Sequence, residues 1–499
     1  LTCPAKPSDL GIVTQDGRDA WWSGQQETIQ QIVDAFWTKK FVIAGIPTGG
    51  GKTIVATAVQ RILAQRALVL THTKQLQSQY QETMPWAVLA TGRNNYTCGR
   101  SADDPLVGLF GSMNAEECEQ YGGGCSKKEE RSCEYYAMLD RAAAAPEVIM
   151  NYAYALRILQ SGGIAGQRNP FRRHLLVADE GHLVEGAIVD ATSLRLRIGV
   201  CSEARLIWPS SYDVNVWIAW AAKSLQQAKK FMALAEGTLI DGRANDIRRQ
   251  RRAAQLIDTL HAILRLDATD WAVSSNTSEA VLRPLWAWSL VEERLWRHFE
   301  RVLILSATPG EPEMLMTKLA IDPAHATYIE RPSTFPLVNR PVYYWPVVKL
   351  NRNSDAADWQ LLASAIEHIS NTGVLKERKG IIHTASYAQA EALRPYLNSG
   401  RFLFQESKTA KETMIDILKQ ASFPVVVVSP SLGIGVDIRE IGWQVLAKVP
   451  FGDLGNPITR LRREYQREDD PKFGKRNYDE EAMNAIVQAA GRAVRGPDD

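Results

Sequence analysis

Long apolar runs are missing from this sequence, because no stretch approaches the roughly 18 residues that a membrane-spanning helix needs. The first residues, LTCPAKPSDL, also lack the basic segment followed by an apolar segment that is typical of a signal peptide. Neither sign of charge is in excess, since 58 basic and 56 acidic residues leave a net charge of +2. We therefore expect a cytoplasmic protein without membrane contact, on which any surface for a polyanion is local.

Cysteine pairs with the C-x-x-C spacing of zinc ribbons are also absent. Six cysteines occur, and four of them fall in one short stretch: Cys98, Cys118, Cys125 and Cys133. In a chain without a signal peptide, such clustering favours metal ligation over disulfides. Spacing alone leaves an iron–sulfur cluster, structural zinc and free thiols open, since four thiolates are compatible with each. Cys3 and Cys201 lie apart from the group, and we expect them to be plain thiols.

Short apolar runs bounded by turn or polar residues recur along the chain and alternate with stretches of helical period. Five runs precede residue 310 and three follow residue 375: FVIAGI, ALVLTH, EVIMN, HLLVADE, RVLILSATP, KGIIHTAS, FPVVVVSP and WQVLAKVPF. This alternation is typical of parallel sheets flanked by helices. The sequence therefore predicts an α/β fold with two parallel-sheet domains.

Two stretches interrupt the alternation. Residues 93–140 are rich in Gly, Cys and charge and lack a strand pattern, whereas residues 190–290 read as helices with many Ala, Arg and Trp. We interpret both as insertions into the first α/β domain. The two α/β domains then divide the rest of the chain into residues 1–92, 141–189 and 291–330 for the first and residues 331–499 for the second. Four prolines between residues 331 and 348 fit neither a helix nor a central strand, which indicates a linker.

A glycine-rich turn between a predicted strand and a predicted helix carries the strongest chemical signal. Its residues are Thr48, Gly49, Gly50, Gly51, Lys52 and Thr53. The glycines let backbone amides close around phosphate oxygens, and the following helix adds its positive N-terminus. Lys52 can reach the β and γ phosphates of a nucleotide, and Thr53 can ligate Mg²⁺. The turn therefore predicts a phosphate-binding loop, although Ile46 stands where the consensus has glycine.

Two further motifs supply the chemistry of phosphoryl transfer. HLLVADEGH places Asp179 and Glu180 at the end of an apolar strand, where Asp179 can hold Mg²⁺ and Glu180 can polarise the attacking water. QAAGRAVRG places Arg492 and Arg495 on one helix face, as candidate arginine fingers. Gln488 lies one turn earlier and is a candidate for orienting the water.

The order of these motifs resembles the superfamily 2 helicases over nearly the whole chain, and more narrowly the XPD/DinG type, closest to bacterial or phage DinG-like members. Besides the phosphate loop, the matching segments are WWSGQ, THTKQLQ, DEGH, LSATP, IIHTASY, GIGVDI, KVPFGDLGNP and QAAGRAVR. The resemblance implies two RecA-like motor domains, with an Fe–S insertion and a helical arch in the first. It also implies an ATP-dependent DNA helicase that moves 5′ to 3′ on single-stranded DNA and unwinds duplexes.

Residue roles follow from the same resemblance. Gln25 would read adenine, Gly435 and Asp437 would lie near the nucleotide ribose, and Ser306 and Thr308 would couple hydrolysis to movement. The position of the four cysteines favours a [4Fe-4S] cluster. Candidate strand contacts are His72, Thr73, Tyr387 and Ser431, and each of these side chains fits an ordinary loop-end cap equally well.

The implied partners are single-stranded DNA and forked or overhang duplexes, with RNA–DNA hybrids as a further candidate, and we expect a monomer. The alternative is a nucleic-acid-stimulated ATPase that clamps or remodels a strand without processive unwinding, since the motifs report strand-coupled hydrolysis rather than strand separation. The sequence departs from the family at Trp22, where members often have Arg, and at Gly181, which replaces the Ala of DEAH and adds backbone freedom. Residue 1 is Leu rather than Met, and members of the family continue past the arginine helix with another strand, so we expect trimmed ends at Leu1 and Asp499.

Overall fold

The computed structural model describes residues 1–98, 114, 115, 118, 133–160, 173–237, 244–333, 336, 338, 341–351, 353–432 and 441–491, apart from residues 13, 15, 16 and 18. Two parallel sheets and one smaller antiparallel sheet form within this part of the chain. They confirm the predicted α/β fold with two parallel-sheet domains, while the domain boundaries stay a prediction. None of the described helices is long and apolar enough to cross a membrane.

The strands of the described residues are, in chain order, β1 (Phe41–Gly45), β2 (Ala67–Thr71), β3 (Val88–Leu89), β4 (Glu147–Asn151), β5 (Leu175–Asp179), β6 (Leu194–Arg197), β7 (Trp271–Ser275), β8 (Glu279–Pro284), β9 (Arg301–Ser306), β10 (Ala326–Glu330), β11 (Lys379–His383), β12 (Phe402–Phe404), β13 (Val426–Ser429) and β14 (Ile441–Leu446). Each of the eight predicted apolar runs overlaps one of these strands.

The α-helices of the same residues are α1 (Gln25–Ala35), α2 (Lys52–Leu63), α3 (Lys74–Thr83), α4 (Glu134–Ala144), α5 (Tyr152–Gln160), α6 (Val184–Thr192), α7 (Ile198–Glu203), α8 (Val214–Gly237), α9 (Ala244–Ile263), α10 (Val291–Arg294), α11 (Pro312–Lys318), α12 (Ala356–Ser370), α13 (Tyr387–Leu393), α14 (Lys411–Gln420), α15 (Pro457–Glu464) and α16 (Phe473–Ala490).

The first sheet is parallel, with the order β10-β1-β9-β5-β2-β4-β3 among the described strands. Its central strands are buried on both faces, because Phe41 and Ile43 point into one core and Val42 and Ala44 into the other. This two-sided burial is the reason that the strands read as continuous apolar runs. The carboxyl ends of β1, β5 and β9 therefore lie side by side, and each is followed by one of the predicted motifs.

The insertion between β5 and β9 contains the predicted helices, since α8 and α9 pack against each other as a long hairpin. It also contains an antiparallel sheet, β6-β8-β7, that the sequence analysis did not predict. Burial alternates along Glu279–Pro284, so one face of β8 meets the helices and the other does not. Trp217 of α8 is fully buried in this core.

The second parallel sheet has the order β12-β13-β11-β14 in the described residues, with α12 and α13 packed against one core and α14 against the other. Residues 341–351 contain neither helix nor strand, as their prolines predicted. The two α/β domains meet through α15 and α16. There, Trp286 and Met314 of the first half pack with Ile458 and Phe473 of the second.

Candidate active site

The phosphate loop runs from the end of β1 to the start of α2. Gly49 and Gly51 have φ angles of 77° and 75°, a left-handed backbone that only glycine adopts readily. At Gly50, a Cβ atom would lie 2.9 Å from both the Ile46 Cγ2 atom and the Pro47 carbonyl oxygen. Ile46 is fully buried in the core, so the departure from the consensus is accommodated by packing. Helix α2 begins at Lys52, directly after the loop, and the first amides of a helix have no partner within it. These amides are therefore available to bind phosphate.

Gln25 begins α1 beside the phosphate loop and is 1% exposed. Its Oε1 atom accepts a hydrogen bond of 3.0 Å from the Trp22 amide, whereas its Nε2 atom has no partner within the described residues. The Nε2 atom lies so close to Gly51 that a Cβ there would overlap it. A buried donor without an acceptor costs about 1–3 kcal/mol, which an acceptor on a bound base would offset. The geometry fits a nucleotide whose base contacts Gln25 while its phosphates lie in the loop.

Two carboxylates lie at the carboxyl end of β5 next to the loop: Asp179 is its last residue, and Glu180 follows it. Lys52 Nζ lies 3.7 Å from Glu180 Oε1. Asp179 is buried, and burial together with the charge of Glu180 raises its pKa to about 7, while Lys52 acts in the opposite direction. Carboxylate and hydroxyl oxygens are the ligands that Mg²⁺ prefers, so Asp179 and Thr53 would hold it. The ion supplies neutralisation of phosphate charge.

The backbone around Glu180 is unusual. Glu180 has φ 52° and ψ 52°, a left-handed conformation that costs a non-glycine residue about 1–2 kcal/mol. At Gly181, a Cβ atom would overlap the Cγ2 atom of Ile304 on β9. Glycine at position 181 therefore permits a close approach of this turn to the neighbouring strand, which is a steric reason beyond the backbone freedom expected from the sequence.

His182 joins the two α/β domains through hydrogen bonds. Gln488 on α16 donates from Nε2 to His182 Nε2 at 2.6 Å and to Thr308 Oγ1 at 3.0 Å. His182 Nδ1, which then carries the ring proton, donates to Ser306 Oγ at 2.9 Å and lies 3.6 Å from Glu180 Oε2. Burial lowers the pKa of His182 to about 4, so the ring is neutral at physiological pH. One neutral imidazole thus contacts the carboxylate of one motif and the amide of another.

A buried ion pair holds the same two domains together. Lys318 Nζ at the end of α11 lies 2.9 Å from Glu480 Oε2 on α16, and it also donates to Asn477 Oδ1 at 3.2 Å. Glu480 Oε1 accepts a 2.7 Å hydrogen bond from the Glu311 amide. The helix ends at Ala490, and a Cβ on the next residue, Gly491, would be 3.0 Å from Thr48 Oγ1. The carboxyl end of α16 therefore faces the phosphate loop.

Comparisons with known families agree with this arrangement. The family described as "Type III restriction enzyme, res subunit" matches residues 20–192, and the helicase C-terminal domain family matches residues 370–499. These segments span more than half of the chain and contain the phosphate loop, the DEGH motif and α16. The chain belongs to the superfamily 2 helicases. Helicases of this superfamily use ATP and Mg²⁺ and act on nucleic acid, which agrees with the site.

Solved structures show that this helicase has the XPD-type fold. The structure of S. tokodaii Xpd4 is 14% identical, with a TM-score of 0.59, and the match covers 96% of this chain and 94% of that chain. A structure described as an XPD helicase is 13% identical, with a TM-score of 0.58 and coverages of 95% and 93%. A third, described as apo XPD, is 12% identical, with a TM-score of 0.59 and coverages of 94% and 93%. No curated protein is similar in sequence to this helicase.

The four predicted strand contacts of the helicase lie after β2, β11 and β13, at the carboxyl edges of the two parallel sheets. His72 is exposed and Tyr387 is partly exposed. The other two hydroxyls have protein partners, since Thr73 Oγ1 accepts from the Leu76 amide at 3.2 Å and Ser431 Oγ donates to Gln405 Oε1 at 2.8 Å. Thr73 caps α3, which is the local role that its position also suggested.

The cysteines of the helicase fall into two environments. Cys3 and Cys201 are buried, and burial raises the pKa of each thiol to about 11. Cys98, Cys118 and Cys133 are partly exposed. Across the described part of the chain, no three His, Cys, Asp or Glu side chains come together as a group that could hold a metal ion.

Several predicted residues lie outside the described residues: Cys125, Gly435, Asp437, Arg492 and Arg495. Most of the stretch predicted to be the Fe–S insertion lies outside them as well. Conversely, the sequence analysis missed Lys318, Glu480 and Arg331. Each is a charged residue in a helix or loop that belongs to no motif, and its partners are more than 150 residues away in sequence. No local pattern distinguishes such residues.

Proposed function

We propose that this helicase is of the DinG-like type, that it couples ATP hydrolysis to 5′ to 3′ movement on single-stranded DNA, and that it acts as a monomer. It would open duplexes that carry a fork or a single-stranded overhang. The observation that carries the proposal is the path of contacts from Glu180 through His182 to Gln488, because it joins the nucleotide-facing carboxylate to the second motor domain.

The predicted residues of the ATP site have the following roles in this proposal. Lys52 binds the β and γ phosphates, and Gln25 donates a hydrogen bond from its unpartnered Nε2 atom to the base. Glu180 takes a proton from the attacking water, and the ammonium group of Lys52, 3.7 Å away, stabilises the carboxylate in its charged form. Arg492 and Arg495 complete the site from the second domain. The position of Gly491 beside Thr48 supports this role, since Arg492 is the next residue and Arg495 follows one helical turn later in the sequence.

Movement would begin at the same path. Ser306 and Thr308 both bond to it, because the Thr308 amide donates to Ser306 Oγ at 3.1 Å and Thr308 Oγ1 accepts from Gln488. A change at Glu180 on hydrolysis alters the surroundings of His182 and thereby the contact with α16. His72, Thr73, Tyr387 and Ser431 are the proposed strand contacts, and Gly435 and Asp437 the proposed ribose contacts.

Duplex substrates with opposite overhangs test polarity and unwinding together. We expect strand separation with a 5′ overhang and ATP, none with a 3′ overhang, and none with Lys52→Ala. Opening from the 3′ overhang alone would contradict the polarity. Hydrolysis stimulated by single-stranded DNA without any strand separation would favour a clamp that remodels without unwinding. A fork and an RNA–DNA hybrid of the same sequence then rank the substrates.

We also propose that Cys98, Cys118, Cys125 and Cys133 hold a [4Fe-4S] cluster. Their place between the THTKQLQ and DEGH motifs supports this, as does the contrast with the buried thiols of Cys3 and Cys201. Anaerobic purification followed by counting of iron and acid-labile sulfide tests the proposal. Cys133→Ser should lose the metal, whereas Cys201→Ser should keep it. Zinc in place of iron would overturn the cluster and leave the ATP site unaffected.

A further inference from the structure

Arg331 is the first residue after β10, and its side chain turns back toward the nucleotide site. It is 4% exposed. Its backbone amide donates to the carbonyl oxygen of Gly45 at 2.9 Å. Its guanidinium donates from Nη1 to the carbonyl oxygen of Gly50 at 2.5 Å and from Nη2 to that of Ser23 at 2.7 Å. One residue thus contacts both ends of the phosphate loop and the turn that precedes α1.

The Ser23 contact matters because this turn delivers Gln25. The turn is closed by a 2.9 Å hydrogen bond from the Gln25 amide to the Trp22 carbonyl oxygen, and Gly24 follows with a φ angle of 72°. Arg331 Nε lies 3.8 Å from where a Cβ of Gly24 would be. The guanidinium therefore lies between the segment that reads the base and the segment that binds the phosphates.

Stability alone does not explain this arginine. Burial lowers its pKa, and no charged group among the described residues offsets that shift. A buried cation without a counterion is costly, and an apolar side chain would fill the same space without that cost. The two hydrogen bonds to backbone carbonyl groups compensate part of the cost of burying the guanidinium. Both carbonyl groups belong to the segments proposed to bind the nucleotide.

We infer that Arg331 is a positioning residue of the ATP site, which fixes the phosphate loop relative to the base-reading turn. The planar fork of arginine can donate to two carbonyl oxygens at once, whereas the single ammonium group of lysine cannot hold both in the same geometry. The inference rests on the proposed use of ATP. In this inference, Arg331 keeps the turn that carries Gln25 at a fixed distance from the phosphate loop.

The test compares Arg331→Lys and Arg331→Met with the full-length protein. For both variants we expect the Kd of a fluorescent ATP analogue and the KM for ATP to rise about tenfold, the loss expected for hydrogen bonds to a charged group. The kcat should stay within about threefold, because Glu180 and Gln488 are untouched. The preference for ATP over GTP should fall, since Gln25 is no longer held in place.

Arg401 in the second domain provides the matched control. Its guanidinium also bonds only to backbone carbonyl groups in the described residues, those of Pro424, Ser370, Leu375 and Arg378. Arg401→Lys should lower thermal stability and leave the KM for ATP and the ATP preference unchanged.

Three outcomes would overturn the inference: full affinity in Arg331→Lys, an unchanged ATP preference in both variants, or equal KM changes in Arg401→Lys. Arg331→Lys keeps the charge and the length, so it remains informative even where Arg331→Met does not fold. The binding measurements use nucleotide alone. A failure of duplex unwinding therefore overturns the proposed function without changing them, and unchanged nucleotide affinity overturns only the role of Arg331.

Discussion

The nucleotide wall of the first domain is formed by Gln25, the phosphate loop and Glu180. Its polar groups have fewer close protein partners than the polar groups in the contact between the two domains. In the wall, Gln25 Nε2 has no partner among the described residues and Lys52 stays 3.7 Å from Glu180. In the contact, the Gln488 amide has two partners within 3.0 Å and Lys318 forms a 2.9 Å ion pair with Glu480.

The difference indicates separate roles for the two regions. The wall has polar groups that a ligand could pair with, and the contact would transmit the effect of that ligand to the second domain. We expect bound nucleotide to complete the wall, whereas the polar groups named in the contact already have protein partners. His182 belongs to both, because Nδ1 lies 3.6 Å from Glu180 and Nε2 accepts from Gln488. We expect substitutions in the wall to abolish hydrolysis and substitutions in the contact to slow it.

The largest expected effect comes from breaking the wall. Lys52→Ala removes the cation that faces the phosphates, and we expect hydrolysis stimulated by single-stranded DNA to fall at least about 100-fold. Phosphate release measures this. Lys40→Ala is the matched control, since Lys40 pairs with Glu292 at 3.9 Å and should retain full activity. Residual hydrolysis above one tenth of the wild-type rate would show that the wall is wrongly assigned.

Breaking the contact should have a smaller and different effect. Gln488→Ala leaves His182 and Thr308 without their shared donor, and we expect kcat to fall about tenfold with little change in KM. Steady-state kinetics at saturating single-stranded DNA gives both constants. Met483→Ala, an exposed change on the same helix, should leave both unchanged. A higher KM at normal kcat would instead place Gln488 in the nucleotide wall.

A third change alters the turn that connects the two regions. Gly181→Ala forces a methyl group against Ile304, and we expect a loss of about 1–3 kcal/mol in the free energy of unfolding. Gly186→Ala in α6 meets nothing within 4 Å and should instead stabilise by about 0.5–1 kcal/mol. Denaturant titration compares them. If Gly181→Ala costs as much in an Ile304→Ala background, the steric explanation is wrong.

The smallest expected effect is a pH dependence of stability. An unfolded histidine takes up a proton near about pH 6.5, whereas burial lowers the pKa of His182 to about 4 in the folded protein. The unfolded state thus binds more protons between these values, and the His182 contribution to stability falls as the pH drops through them. The raised pKa of Asp179 gives the opposite slope, so only a difference between variants isolates His182.

The melting temperatures of the wild type and of His182→Gln, measured at several pH values, provide that difference. We expect the advantage of the wild type to shrink as the pH falls from about 6.5 toward about 4, the window that the two pKa values set. An advantage that grows on acidification would mean that His182 is charged in the folded protein.

The sequence predicted the parts of the fold that are buried on both faces. β1, β2 and β5 are buried along their whole length and therefore appear as continuous apolar runs. Strand β12 has only three residues, and the strand β8 has alternating burial within a region rich in Arg and Trp. Such strands depend on the partner that they pair with, which a local pattern does not contain.

The same limit applies to the site. The phosphate loop and the DEGH motif were predictable because each lies in one short segment next to a strand. Arg331 and Gln488 act through residues that are about 300 positions away, at separations of 281 and 306 in the chain. Gln488 was found because it lies one helical turn before the candidate arginine fingers of its motif, whereas Arg331 belongs to no motif and was found only from its contacts.

Glu180 occupies a backbone conformation that suits glycine or asparagine, so local stability opposes the residue that stands there. A glycine would relax the turn and would remove the carboxylate beside Lys52. Selection for thermal stability without selection for hydrolysis is therefore expected to enrich inactive proteins altered at position 180. At position 180, a substitution that stabilises the fold therefore removes the side chain that the proposed reaction needs.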